Sequence, residues 1–183
     1  MLCVIQTNSN PRVNRSLEMK NLSVVSLGLV VAALIGLLAY FTLSGGEKAP
    51  VVTVTASDGQ TLNLNLPKKP VLVNFWATSC PSCITKMPDL AKLKEEYGDR
   101  FELLAISMDY DPPHHVANFI AANPYPFNFI QDTDGALSEA FGNIRLTPTT
   151  FLIAPNGNIV YRKIGDADME FLHTRINQLS PQF

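Results

Sequence analysis

The sequence predicts an α/β fold, a central mixed β-sheet flanked by helices with an N-terminal β-hairpin, preceded by one transmembrane helix. Three observations carry this. Strand-like runs alternate with helix-like runs through most of the chain, which argues a layered sheet with helices on both faces. Two late strand-like runs flank Pro155-Asn156-Gly157, and Asn-Gly is the strongest short hairpin signal in the sequence. An uncharged apolar run, residues 22–43, stands ahead of everything else.

A length of 183 residues with 46 % hydrophobic residues leaves room for one packed domain and a leader. Residues 22–43 are bounded by Lys20 and Glu47. About 20 apolar residues at about 1.5 Å rise cross a hydrocarbon core about 30 Å thick, so the run can span a bilayer. Arg12, Arg15 and Lys20 precede it, which by the positive-inside tendency leaves residues 1–21 as a cytoplasmic tail and the domain outside the cytoplasm. A cleaved signal peptide is the competing reading. The run exceeds the usual apolar segment of roughly 7–15 residues and ends in Tyr40-Phe41-Thr42-Leu43 without a small-x-small cleavage site, which favours an uncleaved anchor. No cysteine closely follows the run to accept a lipid. Met19 offers an alternative start, so Cys3 carries little weight. Residues 44–50, with Gly45-Gly46, read as a linker, and 51–183 as the domain.

Within the domain, residues 51–55, a turn at Ser57-Asp58-Gly59, and Leu62, Leu64 and Leu66 at spacing two predict the hairpin. Val71-Leu72-Val73-Asn74-Phe75 is nearly continuous in apolar residues and predicts a central strand covered on both faces. Residues 80–97 carry apolar side chains at helical spacing up to Gly98, with Pro88 inside, where a kink or a break into two pieces is expected. Residues 101–108 predict a buried strand, 114–123 a helix after Pro112-Pro113, 127–130 a short strand and 135–141 a turn or two of helix. Residues 149–154 and 158–164 form the late hairpin, and 168–179 the closing helix, capped by Asp166 or Asp168.

Only three cysteines are present, and two of them form Cys80-Pro81-Ser82-Cys83. Cys80 falls between a central strand and a helix start, where unpaired backbone N–H groups and the positive end of the helix dipole stabilise a thiolate. Cys83, one helical turn on, can resolve a mixed disulfide at Cys80. Pro81 at the first helical position costs no hydrogen bond. Alone, the pair leaves redox chemistry beside a structural disulfide, inert thiols or half a zinc site. Zinc lacks a second ligand pair, since the domain adds only His114, His115 and His173, which read as helix-surface residues. A disulfide closing so short a loop constrains the unfolded chain little.

The run Val73-Asn74-Phe75-Trp76-Ala77-Thr78-Ser79-Cys80-Pro81-Ser82-Cys83, followed by Met87-Pro88, resembles the TlpA/ResA-like thiol-disulfide oxidoreductases, of thioredoxin-like fold. Leu146-Thr147-Pro148-Thr149-Thr150-Phe151-Leu152-Ile153 is similar to the cis-proline loop and strand of that fold. The resemblance spans residues 51–183. It implies that Pro148 follows a cis peptide bond and faces the Cys80 sulfur, that Thr147 offers backbone groups to a substrate polypeptide, and that Trp76 covers the same groove. No cofactor is expected, and the short supply of further ligands leaves no metal expected at the pair. Three departures fall on residues that tune the pair. Ser79 stands where a tryptophan is common, Ser82 replaces a proline, and Lys86 occupies the place of a glutamate. A solvated helix face is the simpler reading of Lys86. Asn74 stands where cytoplasmic thioredoxins hold a buried acid, so proton transfer at the dithiol falls to water. Asp109 and Asp111, at a strand end, read as a solvated loop or an acid pair at the active edge.

A net charge of -2 and a pI near 5.9 leave no basic face for nucleic acid. The uncharged run and the charges before it predict a single-pass protein of the cytoplasmic (inner) membrane whose dithiol domain faces the periplasm. The resemblance implies that it there reduces disulfides in envelope proteins, apocytochrome c in cytochrome c maturation or a metallochaperone, and that a membrane electron donor re-reduces it. The alternatives are a dithiol oxidant or isomerase of the same fold, a copper carrier using both sulfurs and a distal histidine, and a peroxidase.

Overall fold

The computed structural model describes residues 28–38, 46–55, 59 and 61–180. The chain divides into two units, residues 1–45 and 46–183. In the first, residues 28–38 are helical and exposed throughout, with Leu29, Val31, Leu34, Ile35, Leu37 and Leu38 all turned outward. Among the described residues no helix is long and apolar enough to cross a membrane. The expected tail 1–21, half of the expected span 22–43 and the start of the linker 44–50 lie outside the described residues.

In the second unit the hairpin forms as expected, β1 (Thr53–Thr55) antiparallel to β2 (Thr61–Asn63), as a separate two-stranded sheet. Its turn lies mostly outside the described residues. The main sheet holds β3 (Val71–Trp76), β4 (Glu102–Ser107), β5 (Asn128–Gln131), β6 (Thr149–Ile153) and β7 (Ile159–Ile164) in the order β5-β4-β3-β6-β7. β3 is central, parallel to β4 and antiparallel to β6, with Phe75 opposite Thr149 and Val71 opposite Ile153. All six β3 residues are buried, which explains why this strand reads as a continuous apolar run rather than an alternating one.

The pleat sends alternate side chains to opposite faces. Leu72 and Trp76 enter a core shared with α1 (Pro81–Tyr97), α2 (Pro113–Ala122) and α4 (Met169–Leu179). Val71, Val73 and Phe75 enter a second core with Leu64 of the segment after β2, and with Phe141 and Leu137 at the short helix α3 (Ala136–Ala140). Helices therefore cover both faces, unequally.

Pro88 neither ends α1 nor divides it; the helix runs from Pro81 to Tyr97. A proline in a helix interior costs about 3 kcal/mol. Buried Met87 on one side of Pro88, and Leu90, Ala91 and Leu93 on the other, tie both halves to the sheet, while Pro88 itself faces solvent. Packing overrides the local rule.

The start of the second unit is pinned to the β6–β7 turn. Ala49 N–H donates to Gly157 O at 2.9 Å, Ile159 N–H donates to Glu47 O at 2.7 Å, and Lys48 bridges Asn158. Gly157 has φ +78°, and a Cβ there would lie 1.9 Å from Asn65 O, so both its conformation and the close approach require glycine.

Candidate active site

The parallel pairing of β3 and β4 brings the loops that follow them to one edge of the sheet, and antiparallel β6 brings the loop before it to the same edge. Three segments meet there: residues 77–80, residues 108–112 and residues 146–148.

Cys80 is the N-cap of α1, with φ -99° and ψ 100°, and Pro81 fills the first helical position. Its Sγ accepts the Cys83 backbone N–H at 3.2 Å, and the Ser82 hydroxyl lies 3.6 Å away. Cys80 and Cys83 are joined as a disulfide, with Cα atoms 5.3 Å apart. Cys80 is 9 % exposed and Cys83 3 %, so the first sulfur lies nearer the surface. A negative charge forming on the Cys80 sulfur would meet a donor already aimed at it and the positive end of a 17-residue helix.

The Thr147–Pro148 peptide bond is cis, as the resemblance implied. Pro148 is buried and lines a small pocket with Cys83, Lys86, Asn74, Thr150 and Asp166, so the proline loop and the dithiol do share a wall. Asn74 is 4 % exposed and donates through Nδ2 to Thr150 Oγ1 at 2.9 Å. Lys86 is half-buried at this pocket, and its Nζ lies 3.5 Å from Asp89 Oδ2. Lys86 is thus half-exposed at the rim of this pocket, because the helix turn that carries Cys83 carries Lys86 to the same wall.

Trp76 is placed otherwise than expected. It is fully buried, with its ring 4.9 Å from Phe119 and 5.6 Å from Phe129, and has no surface to offer a groove. The pleat explains this, since Trp76 shares the face of Leu72 and points under α1 and α2, not along the strand toward the loop.

Sequence reasoning underweighted Asp111. It is 2 % exposed and accepts from the Thr78 backbone N–H at 2.6 Å and the Thr78 hydroxyl at 2.5 Å. The acid at a strand end was the only signal, and its partner lies 33 positions upstream. Asp109 is exposed; neighbouring Tyr110 is also exposed, its hydroxyl 3.4 Å from Thr147 Oγ1. Asp166, which enters the pocket from the loop before α4, gave no signal beyond its place as a cap candidate; Asp168 is the cap, accepting from Phe171 N–H at 3.0 Å.

His173 lies 3.3 Å from Glu96 and packs on Tyr97, at the far end of α1, about 25 Å of helix from Cys80. His114 and His115 are exposed on α2, their rings 4.3 Å apart. Among the described residues no cluster of three or more His, Cys, Asp or Glu could hold a metal.

A cysteine pair at CxxC spacing at the carboxyl edge of this sheet, against a cis-proline loop, is the arrangement of a thioredoxin-like thiol-disulfide oxidoreductase, and that is the class of this enzyme. Residues 44–177 match the model of the Redoxin family. The chain is 30 % identical over 148 residues to the thiol-disulfide oxidoreductase ResA of Bacillus thuringiensis, covering 78 % of this chain and 84 % of that one. To ResA of Bacillus subtilis it is 28 % identical, covering 76 % and 78 %. A candidate thioredoxin from Neisseria meningitidis, solved in solution, superposes with a TM-score of 0.64 at 31 % identity, covering 74 % and 91 %. StoA from Bacillus subtilis, with a TM-score of 0.60 at 24 % identity and coverage of 69 % and 97 %, shares the fold. The chain belongs to the Redoxin family and, within it, to the ResA-like oxidoreductases that its motifs resemble.

Proposed function

We propose that the protein is a membrane-anchored dithiol reductase acting outside the cytoplasm, with disulfides of envelope proteins as its substrates. The Cys80 thiolate attacks one sulfur of a client disulfide, forming a mixed disulfide and releasing the other client sulfur as a thiolate, which takes a proton. Cys83, deprotonated in turn, attacks the Cys80 sulfur. The second client thiol leaves, two electrons have passed to the client, and the Cys80–Cys83 disulfide remains. A membrane electron donor then returns two electrons and two protons. Thr147 would hold the client backbone in the manner of an added strand, with Pro148 against the sulfurs. Apocytochrome c or a metallochaperone is the client class implied by the family resemblance.

The observation that carries the exchange chemistry is the Cys83 N–H aimed at the Cys80 sulfur at the head of α1, and the reductive direction rests on the family resemblance. This N–H prepares one sulfur to attack and leave as a thiolate while the deeper Cys83 resolves. The anchor rests on the uncharged run 22–43 and on residues 28–38 being helical with every side chain exposed. The positive charges before the run support an outward-facing domain.

The test is trapping. Cys83→Ala should leave Cys80 in mixed disulfides with clients, identified after non-reducing separation, and capture of none at Cys80 would sink the exchange reading. Direction is read separately. A Cys80/Cys83 potential near about -120 mV would make the protein an oxidant instead. The Ser82 hydroxyl beside Cys80, together with Lys86 at the pocket, favours that second reading, because each stabilises a thiolate and with it the reduced form.

A further inference from the structure

We propose that Asp111 is a positioning residue of the dithiol centre, holding the turn that presents Cys80. Both of its carboxylate oxygens are engaged by one residue, Oδ2 by the Thr78 N–H and Oδ1 by the Thr78 hydroxyl. Thr78 lies inside the turn that delivers the sulfur, because the Cys80 N–H donates across it to Ala77 O at 3.1 Å. Burying a carboxylate to 2 % exposure costs several kcal/mol unless its oxygens are satisfied. Among the described residues no Lys, Arg or His forms an ion pair with it. The two Thr78 bonds therefore carry that compensation, and they bind the turn as tightly as the turn binds the acid.

The position of Asp111 in the fold gives the bond its reach. Its own N–H donates to Met108 O at 3.1 Å, which folds the segment after β4 back over the sheet edge. The next residue back, Tyr110, touches Thr147 of the proline loop. One short segment thus braces the cysteine turn through Asp111 and meets the proline loop through Tyr110, and it sets the distance between the two halves of the site. Charged groups at the pair itself are Lys86 and Asp166, both on the Cys83 side. Asp111 acts through Thr78 from the other side.

This inference rests on Cys80 being the attacking sulfur, so the experiment reads Cys80 without any client. In the full-length Cys83→Ala chain, iodoacetamide modification of the Cys80 peptide is followed by mass spectrometry across pH, which keeps Cys3 out of the count. Loss of positioning at a reacting group is expected to slow modification by Asp111→Ala at neutral pH about fivefold and move the profile to higher pH. Asp111→Asn can still accept from the Thr78 N–H and donate to its hydroxyl, and is expected to stay within about twofold of the parent. A parent-like rate and profile for Asp111→Ala overturns the proposal, as does Asp111→Asn being as slow as Asp111→Ala. Should Asp111→Ala show no cooperative unfolding, Thr78→Val, which loses one of the two bonds, decides. Slowing beyond about twofold with a shifted profile supports positioning, and an unchanged profile overturns it. Failure of the reductase reading would show instead as a Cys80/Cys83 potential in the range of a dithiol oxidant, with the iodoacetamide results unchanged.

Discussion

Reversing the charge at Lys86 should make the dithiol a stronger reductant. Lys86 follows Cys83 by three residues on α1, which places it about 6 Å from that side chain. Its side chain is 42 % exposed and its ammonium lies 3.5 Å from the Asp89 carboxylate, so a water-like dielectric is the appropriate one. One unit charge at about 6 Å is then worth about 0.7 kcal/mol, and reversing it about 1.4 kcal/mol. For a two-electron couple that is about 30 mV, and physiological salt roughly halves it. The ammonium favours the thiolate of the reduced form. Lys86→Glu therefore disfavours reduction, and the potential should fall by about 15–30 mV, with Lys86→Gln giving about half. Equilibration in glutathione buffers, followed by acid quench and alkylation, measures it. A potential that moves upward, or stays within about 5 mV of wild type, would refute the electrostatic reasoning.

Two further outcomes test the scaffold. Gly157→Ala forces a Cβ onto Asn65 O at 1.9 Å and a side chain into φ +78°, and should destabilise the domain by about 2–5 kcal/mol. Urea unfolding followed by the fluorescence of the one tryptophan measures this, and a loss under about 1 kcal/mol would contradict the contact. Tyr97 governs part of the alkaline limb. Burial first, then Glu96, hold its hydroxyl above the usual 10.0, with Arg100 opposing. The folded chain keeps a proton there that the unfolded chain has lost, so this stabilisation is intact below about pH 10 and disappears as pH rises through the folded value. Tyr97→Phe should cost about 1 kcal/mol at neutral pH, from the lost bond to His173 O, and should flatten the fall in stability above about pH 10; an unchanged slope would contradict it.

Much of this site could be read in the sequence because its parts are local. The buried strand, the turn and the helix start that frame Cys80 lie within one run of residues, where periodicity and capping rules act directly. The Asn-Gly hairpin is equally local. The cis bond before Pro148 was legible only through resemblance, since no rule of spacing demands it. Trp76 was misplaced because a continuous apolar strand does not announce which face each residue takes. Asp111 was underweighted because a strand-end acid says nothing of inward or outward aim until Thr78 is brought beside it by the pairing of β3 with β4. At Pro88 a local rule was sound and lost to packing on both sides.

The pinning of residues 47–49 to the β6–β7 turn has a mechanical consequence. Val71 and Ile153 mark that pole of the sheet, while Phe75 and Thr149, about 13 Å away along the strands, mark the other, with the sulfurs beyond them. The chain therefore joins this unit at its stern and carries the dithiol at its bow. Any pull on residues 47–49 is thus delivered to the β6–β7 turn and reaches the sulfurs only through the length of the sheet.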